Sequence, residues 1–423
     1  MDCINKIIEK FKFNTAKIRE ISDMFYKELE ERKDLKMLSS FLSYPTGKEK
    51  GKYLALDFGG SNIRVSLIEL YGDNSFKILK NIKRPLVLQE RYNYLTLNTK
   101  GRELFNFIAL MIKDIIGNDE KYYLGHTFSF PFRQDNSKDA YLIEWTKEFK
   151  TSGVEGENIT NLLNIALHEN NIFNVEPIVV INDTVATFLA AAYLNRNVIV
   201  GSICGTGHNT ACLLDEIIVN LESGNFSKMP LTKYDEEFDA LTEKPGKQLL
   251  EKLSSGRYLG EIFRVICLEL LNKGFFTDAN KAKEVLLRPN IISSETLSSI
   301  IRANDYREIM RIMSRLNLTI KDKESLILVE LAKNIIKRAA SLVAVTYLGI
   351  INKINVNHTD ELIIAIDGSL YEKMPLYKET IDEVIAEGRE IYNIKNRVKV
   401  IFENRGSELG AAIAAAIAKN NIC

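Results

Sequence analysis

Ile4, Ile7, Ile8 and Phe11, then Ile18, Ile21, Phe25 and Leu29, recur at helical spacing and predict one or two amphipathic helices at the start of the chain. The period then changes. Strand-like runs over 52–56 and 64–68 flank Asp57-Phe58-Gly59-Gly60-Ser61-Asn62, and runs over 198–204 and 210–213 flank Gly205-Thr206-Gly207-His208-Asn209. Two similar hairpins imply two similar half-domains. Strand-like material is expected near 76–88, a helix over 102–116, an apolar run over 122–130 stopped by Pro131, and a helix over 161–169. The continuous apolar run 177–181 reads as a buried strand feeding a helix over 184–194.

The same theme returns after Gly205 around a long helical insertion. Pro245 is read as a helix-entry residue, Gly256 and Gly274 as terminators, and 325–351 as one long helix. A strand over 362–366 ends at Asp367-Gly368-Ser369, and another over 398–402 ends at Asn404-Arg405-Gly406-Ser407 before an alanine-rich closing helix. Both ends read as ligand-facing turns at the carboxyl edge of a sheet. The alternation predicts an α/β protein with mixed sheets covered by helices. N-terminal helices over 1–50 are expected to pack on a large lobe over 196–407, with a small lobe over 51–195 joined by the closing helix, 408–420.

At 423 residues the chain is long enough for more than one core. Its 56 basic and 56 acidic side chains cancel, so no electrostatic footprint points to nucleic acid or an anionic membrane, and small-molecule partners are expected. Five cysteines without CxxC spacing imply reduced thiols in a cytoplasmic protein rather than disulfides or a cysteine zinc site. Four scattered histidines offer no zinc pair. Charged residues interrupt the N-terminal apolar positions, which argues against a signal peptide. The apolar stretches 178–194 and 409–418 are broken or too short to span a bilayer.

Glycine allows positive φ and close approach to a ligand, and the hydroxyls and amide N–H groups of both turns suit a chain of phosphate oxygens. Taken singly, each turn also fits ordinary hairpin geometry. Neither is a P-loop, since no Gly-x-x-x-x-Gly-Lys-Ser/Thr occurs, and no Gly-x-Gly-x-x-Gly opens a helix after a strand. Asp183, between strand and helix, is either a general base or a helix cap on this reading.

Read in order, several segments resemble the hexokinase family. They are His126-Thr127-Phe128-Ser129-Phe130-Pro131, Trp145-Thr146-Lys147-Glu148-Phe149-Lys150, Asn182-Asp183-Thr184-Val185, Gly205-Thr206-Gly207-His208-Asn209 and Asn220-Leu221-Glu222. Gly246-Lys247-Gln248, Glu251-Lys252 and Ser255-Gly256-Arg257-Tyr258-Leu259-Gly260-Glu261 extend the match, which runs over 53–418 as one catalytic unit. The resemblance implies two actin-like (ribonuclease H-like) lobes with a cleft between them. It implies ATP-dependent phosphorylation of the 6-hydroxyl of a hexose, with glucose favoured, on a monomer or homodimer whose partners are hexose and Mg-ATP.

The resemblance makes Asp183 the catalytic base, assisted by Lys147. It assigns Ser129, Thr146, Lys147, Asn182, Asp183, Asn209, Glu222, Gln248 and Glu251 to the sugar. Matched amides, hydroxyls and carboxylates suit a polyol, because an analogue leaves some of them unpaired. ATP is assigned to Asp57, Gly59, Gly60, Ser61, Asn62, Arg64, Gly205, Thr206, Gly207, Ser369 and Ser407, with Mg²⁺ held by Asp57 through water. Arg64 reads equally as a salt-bridge partner, and Ser369 and Ser407 as turn caps.

The chain departs from the family pattern at Ser223-Gly224-Asn225-Phe226, which loses an aromatic and enlarges a small position beside the sugar. His208 stands where a small residue is usual, and Ser61 where Thr is common. His208 is expected to point outward from its turn. A catalytically weak sugar sensor and a kinase for another polyol are the rival readings.

Overall fold

A computed structural model describes residues 2–117, 120–146, 148–354 and 360–422. The chain divides into two compact units. One comprises Met1–Met37, Ile203–Thr210 and Leu221–Phe402; the other comprises Leu38–Ser202, Ala211–Asn220 and Glu403–Cys423. We call them the helix-rich unit and the sheet unit.

The sheet unit is built on five strands in the order Val175–Ile181, Tyr122–Phe128, Lys50–Phe58, Asn62–Tyr71 and Phe76–Pro85. The first three are parallel and the remaining pairings antiparallel. Tyr53, Leu54, Ala55, Leu56 and Phe58 are all buried, as expected of a strand covered on both faces. Helix Gly101–Lys113 presents Leu104, Phe105, Ile108, Met111 and Ile112 to this core. The alanine-rich helix Gly406–Ile422 approaches very closely: a Cβ at Gly125 would lie 1.9 Å from Ala411 O, and one at Gly410 would lie 2.1 Å from Ala186 O. Small residues on that helix are therefore a packing requirement. Strand Phe76–Pro85 ends the sheet and carries exposed Lys77, Lys80 and Lys83, which discourage edge-to-edge pairing.

The helix-rich unit is organised by helix Asp322–Ile354, 33 residues long, which packs against helices Thr15–Glu31 and Tyr377–Ile391. This helix is long and apolar enough to cross a membrane, but 94% of its apolar window is buried inside the protein, and it escaped the sequence reading as an apolar stretch. Its Arg338 donates to both carboxylate oxygens of Asp235 at 2.8 and 2.7 Å, with Phe11 4.3 Å from the guanidinium. That interaction sews the N-terminal helices to the unit's centre.

Several expectations are corrected. Gly256 begins helix Gly256–Leu271 rather than ending one, because its N–H is bound by Gly205 O at 2.9 Å. Pro245 lies in a turn ahead of helix Leu249–Ser254. Strands Leu38–Ser43 and Ile217–Asn220, which pair with each other, and helix Tyr377–Ile391 had no counterpart in the reading. Residues 38–50, 196–202 and 211–220 belong to the sheet unit.

Candidate functional site

In the sheet unit, the candidate residues gather where parallel strands end. Asp57 is level with Thr127, and Thr127 with Ile181, so Asp57, Ser129 and Asn182-Asp183 leave the same carboxyl edge of the sheet. This is where open α/β sheets bind ligands. Helix Asp183–Leu194 starts there, and its cap is Asn182: Oδ1 accepts from Thr184 N at 2.9 Å and from Thr184 Oγ1 at 2.6 Å. Asp183 is thus the first helical residue and not the cap. A carboxylate in that place also sits favourably at the helix N-terminus.

The glycine hairpin beside Asp57 is closed by Gly59 N to Asn62 O at 3.3 Å, and Ser61 O accepts from Leu86 N at 2.9 Å. Neither Gly59 nor Gly60, nor Gly205 or Gly207 in the other turn, has positive φ, so that reason for glycine does not apply. Arg64, level with Asp57, is ion-paired with the buried Glu408. Ser407 sits beside it on the closing helix, and its carbonyl accepts from Thr127 Oγ1 at 2.8 Å. Thr146 follows Trp145, whose indole N–H reaches Thr151 O at 2.8 Å and whose ring lies 4.7 Å from Phe149 and 4.8 Å from Phe130. The only tryptophan therefore pins the Thr146 loop. Lys147 lies outside the described residues.

The helix-rich unit holds the second turn and the remaining candidates. Glu251 Oε2 accepts from His208 N at 3.0 Å, and a Cβ on Gly207 would come within 2.8 Å of that oxygen. Close approach to a carboxylate is the physical reason for this glycine. Asn209 Nδ2 donates to Glu222 Oε1 at 3.1 Å, while its Oδ1 accepts from Thr210 N at 2.7 Å and Ser223 N at 3.2 Å. Glu222 and Gln248 have φ of 54° and 53°. Left-handed non-glycine residues cost energy and persist where the surroundings impose them, often at ligand sites. Asn209, Glu222 and Glu251 thus form one hydrogen-bonded group around the turn.

His208 does not point outward. It is buried, with Nδ1 3.1 Å from Ile203 O and Nε2 3.4 Å from Ser223 Oγ, and burial pushes its pKa down to about 4. The two departures from the family pattern in this region face each other.

Gly205, Thr206 and Ser369 line one cavity of about 300 Å³ together with Gly256, Arg257 and Lys373. Three of the expected nucleotide residues are therefore gathered in one place. Arg257 and Lys373 bring positive charge that the reading did not assign. Gly368, at φ 124°, lets the chain pass Cys204, since a Cβ there would lie 2.3 Å from Cys204 O. Ser407 is not among the lining residues.

An α/β fold with a glycine turn at a cavity of about 300 Å³ that Arg257, Lys373 and Glu295 line, and a cluster of amide and carboxylate groups beside that turn, has the features of a small-molecule binding site. A family model described as hexokinase matches residues 3–193, and a second of the same description matches 199–417. The chain belongs to the hexokinase family. It is 32% identical to Hexokinase-7 of Oryza sativa subsp. japonica over 90% of this chain and 88% of that protein. It is 29% identical to human Hexokinase-2 over 98% of this chain, and it spans about half of that relative's length, 48%. A solved hexokinase from Schistosoma mansoni complexed with glucose superposes with a TM-score of 0.82 at 29% identity, covering 98% of each chain.

Proposed function

We propose that the protein is a hexokinase that transfers the terminal phosphoryl group of ATP to the 6-hydroxyl of a hexose, with glucose favoured. The observation that carries this reading is the division of labour at the helix start, where Asn182 caps and the adjacent Asp183 carboxylate stands at the ligand-binding edge of the sheet. Asp183 accepts the hydroxyl proton as the sugar oxygen bonds to phosphorus and the bridging P–O bond of ATP breaks, releasing ADP. Such a base contributes roughly 10²- to 10⁴-fold. In the helix-rich unit Asn209, Glu222, Gln248 and Glu251 present donors and acceptors suited to a polyol, and in the sheet unit Ser129, Thr146 and Asn182 do the same. Lys147 offsets negative charge near the reacting oxygen.

The cavity at Gly205, Thr206 and Ser369 suits the nucleotide, with Arg257 and Lys373 beside it. Among the described residues no group of three or more His, Cys, Asp and Glu could cage a metal. Asp57 alone fits a hydrated Mg²⁺ held chiefly by phosphate oxygens, an ion that supplies charge neutralisation when bound. Buried free thiols at Cys204, Cys212 and Cys267 favour a cytoplasmic setting and zero net charge favours small-molecule partners, and the family resemblance gives a monomer or homodimer. Purified protein incubated with Mg-ATP and glucose, mannose or fructose, followed by mass spectrometry, is expected to yield hexose 6-phosphate. No sugar phosphate from any hexose rejects the reading, and product from another polyol alone moves the substrate class.

A further inference from the structure

His208 is a large, buried side chain in a phosphate-binding turn, and nothing in the chemistry above uses it. Its surroundings are specific. Nδ1 faces the Ile203 carbonyl at 3.1 Å. Ser223 Oγ donates to Thr210 Oγ1 at 3.0 Å and packs 3.4 Å from Nε2, and all three side chains are buried. Cys204 Sγ lies 3.7 Å from Nδ1, beside the Ile203 carbonyl.

His208 is linked to groups assigned to the sugar through its backbone and through its side chain. Its own backbone N–H holds Glu251 Oε2. Its side chain meets Ser223, whose preceding residue is the left-handed Glu222 and whose N–H is fixed by Asn209 Oδ1. Gly224 completes the clamp, since a Cβ there would meet His208 O at 3.0 Å and Glu251 Cβ at 3.1 Å. Loss of the imidazole removes the packing support of Ser223 and Gly224, which follow Glu222, with Gly224 against Glu251, and a shift of a few tenths of an ångström loosens hydrogen bonds to a polyol.

We infer that His208 is a positioning residue for hexose binding, acting through Ser223 to hold the Glu222 and Glu251 carboxylates in register. The inference rests on the hexokinase reading. The His208–Ser223 contact substitutes an internal polar strut for side-chain bulk at position 223, and it governs hexose affinity rather than the phosphoryl-transfer step.

The test is a double-mutant cycle on the full chain with His208→Ala, Ser223→Ala and the pair, read by calorimetric glucose binding and steady-state kinetics. His208→Ala is expected to raise the glucose Kd and KM roughly tenfold, with kcat and the Mg-ATP KM within about twofold. Ser223→Ala, a small change that the fold tolerates, is expected to raise them about threefold, and the double variant no more than His208→Ala alone. His208→Gln, whose side-chain amide can stand in for the imidazole edge that packs on Ser223, is expected to recover part of the loss. Unchanged glucose Kd in a folded His208→Ala or Ser223→Ala protein overturns the inference, as do single effects that multiply in the pair. A wild-type protein that neither binds nor phosphorylates hexose instead overturns the functional reading beneath it.

Discussion

Arg64 and Glu408 form an ion pair that fastens the first glycine hairpin to the first turn of the closing helix. Glu408 is nearly buried and takes two further donors, Ser66 Oγ at 2.6 Å and Asn81 Nδ2 at 2.8 Å. Arg64 stands opposite Asp57 in the strand pair, and Ser407, beside Glu408, holds Thr127 on the next strand. One buried carboxylate thereby braces the strand ends from which Asp57 and Ser129 project.

Replacing Glu408 should unsettle this brace more than replacing Arg64. Glu408→Ala removes the acceptor of three donors, two of them on buried or half-buried neutral groups, and is expected to lower unfolding free energy by about 3 kcal/mol. Arg64→Ala leaves the carboxylate with two donors, and the arginine side chain is about a third exposed at 31%, so a loss of about 1 kcal/mol is expected. Urea unfolding of the two variants checks the order. A larger loss for Arg64→Ala contradicts the assignment of Glu408 as the hub.

Mild acid should destabilise the protein through two histidines. His126 is buried with no partner on either ring nitrogen, and burial pushes its pKa down to about 3; His208 falls to about 4 for the same reason. An unfolded chain titrates both near 6.5, so below that pH the unfolded state binds more protons and stability falls as pH drops. The loss extends down to the folded values. At pH 5 each contributes about 2 kcal/mol of destabilisation relative to neutral pH. The raised carboxyls Asp382 and Glu403 act in the opposite direction at lower pH. Chemical denaturation at pH 7 and pH 5 measures the difference, and His126→Leu should reduce it by about half. Identical stability at both values would count against buried neutral imidazoles.

Local pattern was enough where each element's own residues decide its form. The glycine hairpins, the strand that ends at Asn182 and the long helix Asp322–Ile354 all announced themselves by period and punctuation. The short strand Leu38–Ser43 did not, because its partner Ile217–Asn220 lies many residues away; Ile217–Asn220, which also pairs with the neighbouring strand His208–Leu214, is only four residues long. His208 was misread for a related reason: nothing near it in sequence reveals that Ser223 and Thr210 wait on its buried side. Arg257 and Lys373 reach the cavity at Gly205 and Ser369 from helices that carry no phosphate signature. The capping choice at Asn182-Asp183 was ambiguous in the sequence, since both residue types cap well, and only backbone geometry resolves it.

Gly368 offers a separate handle on the nucleotide side. Its φ of 124° is unfavourable for any other residue, and a side chain would collide with Cys204 O at 2.3 Å. Gly368→Ala must displace either Ser369 or the strand end leading into Gly205, both of which line the cavity. The Mg-ATP KM is expected to rise roughly tenfold or more while glucose binding changes little. An unchanged Mg-ATP KM in the folded variant removes the nucleotide from this cavity.

Asp183 is the residue on which turnover should depend most. Because Asn182 supplies the capping bond, Asp183→Asn keeps shape and helix start while removing the proton acceptor. Phosphorylation is expected to fall at least about a hundredfold. Binding can be followed independently, since Trp145 is the sole tryptophan and packs immediately before Thr146, so its emission should respond to hexose. In Asp183→Asn that response should persist with an apparent Kd within about threefold of wild type, because the remaining polar groups still meet the sugar. Lost binding together with lost turnover would make Asp183 a sugar anchor rather than the base. Near-normal turnover would place the proton acceptor on another residue.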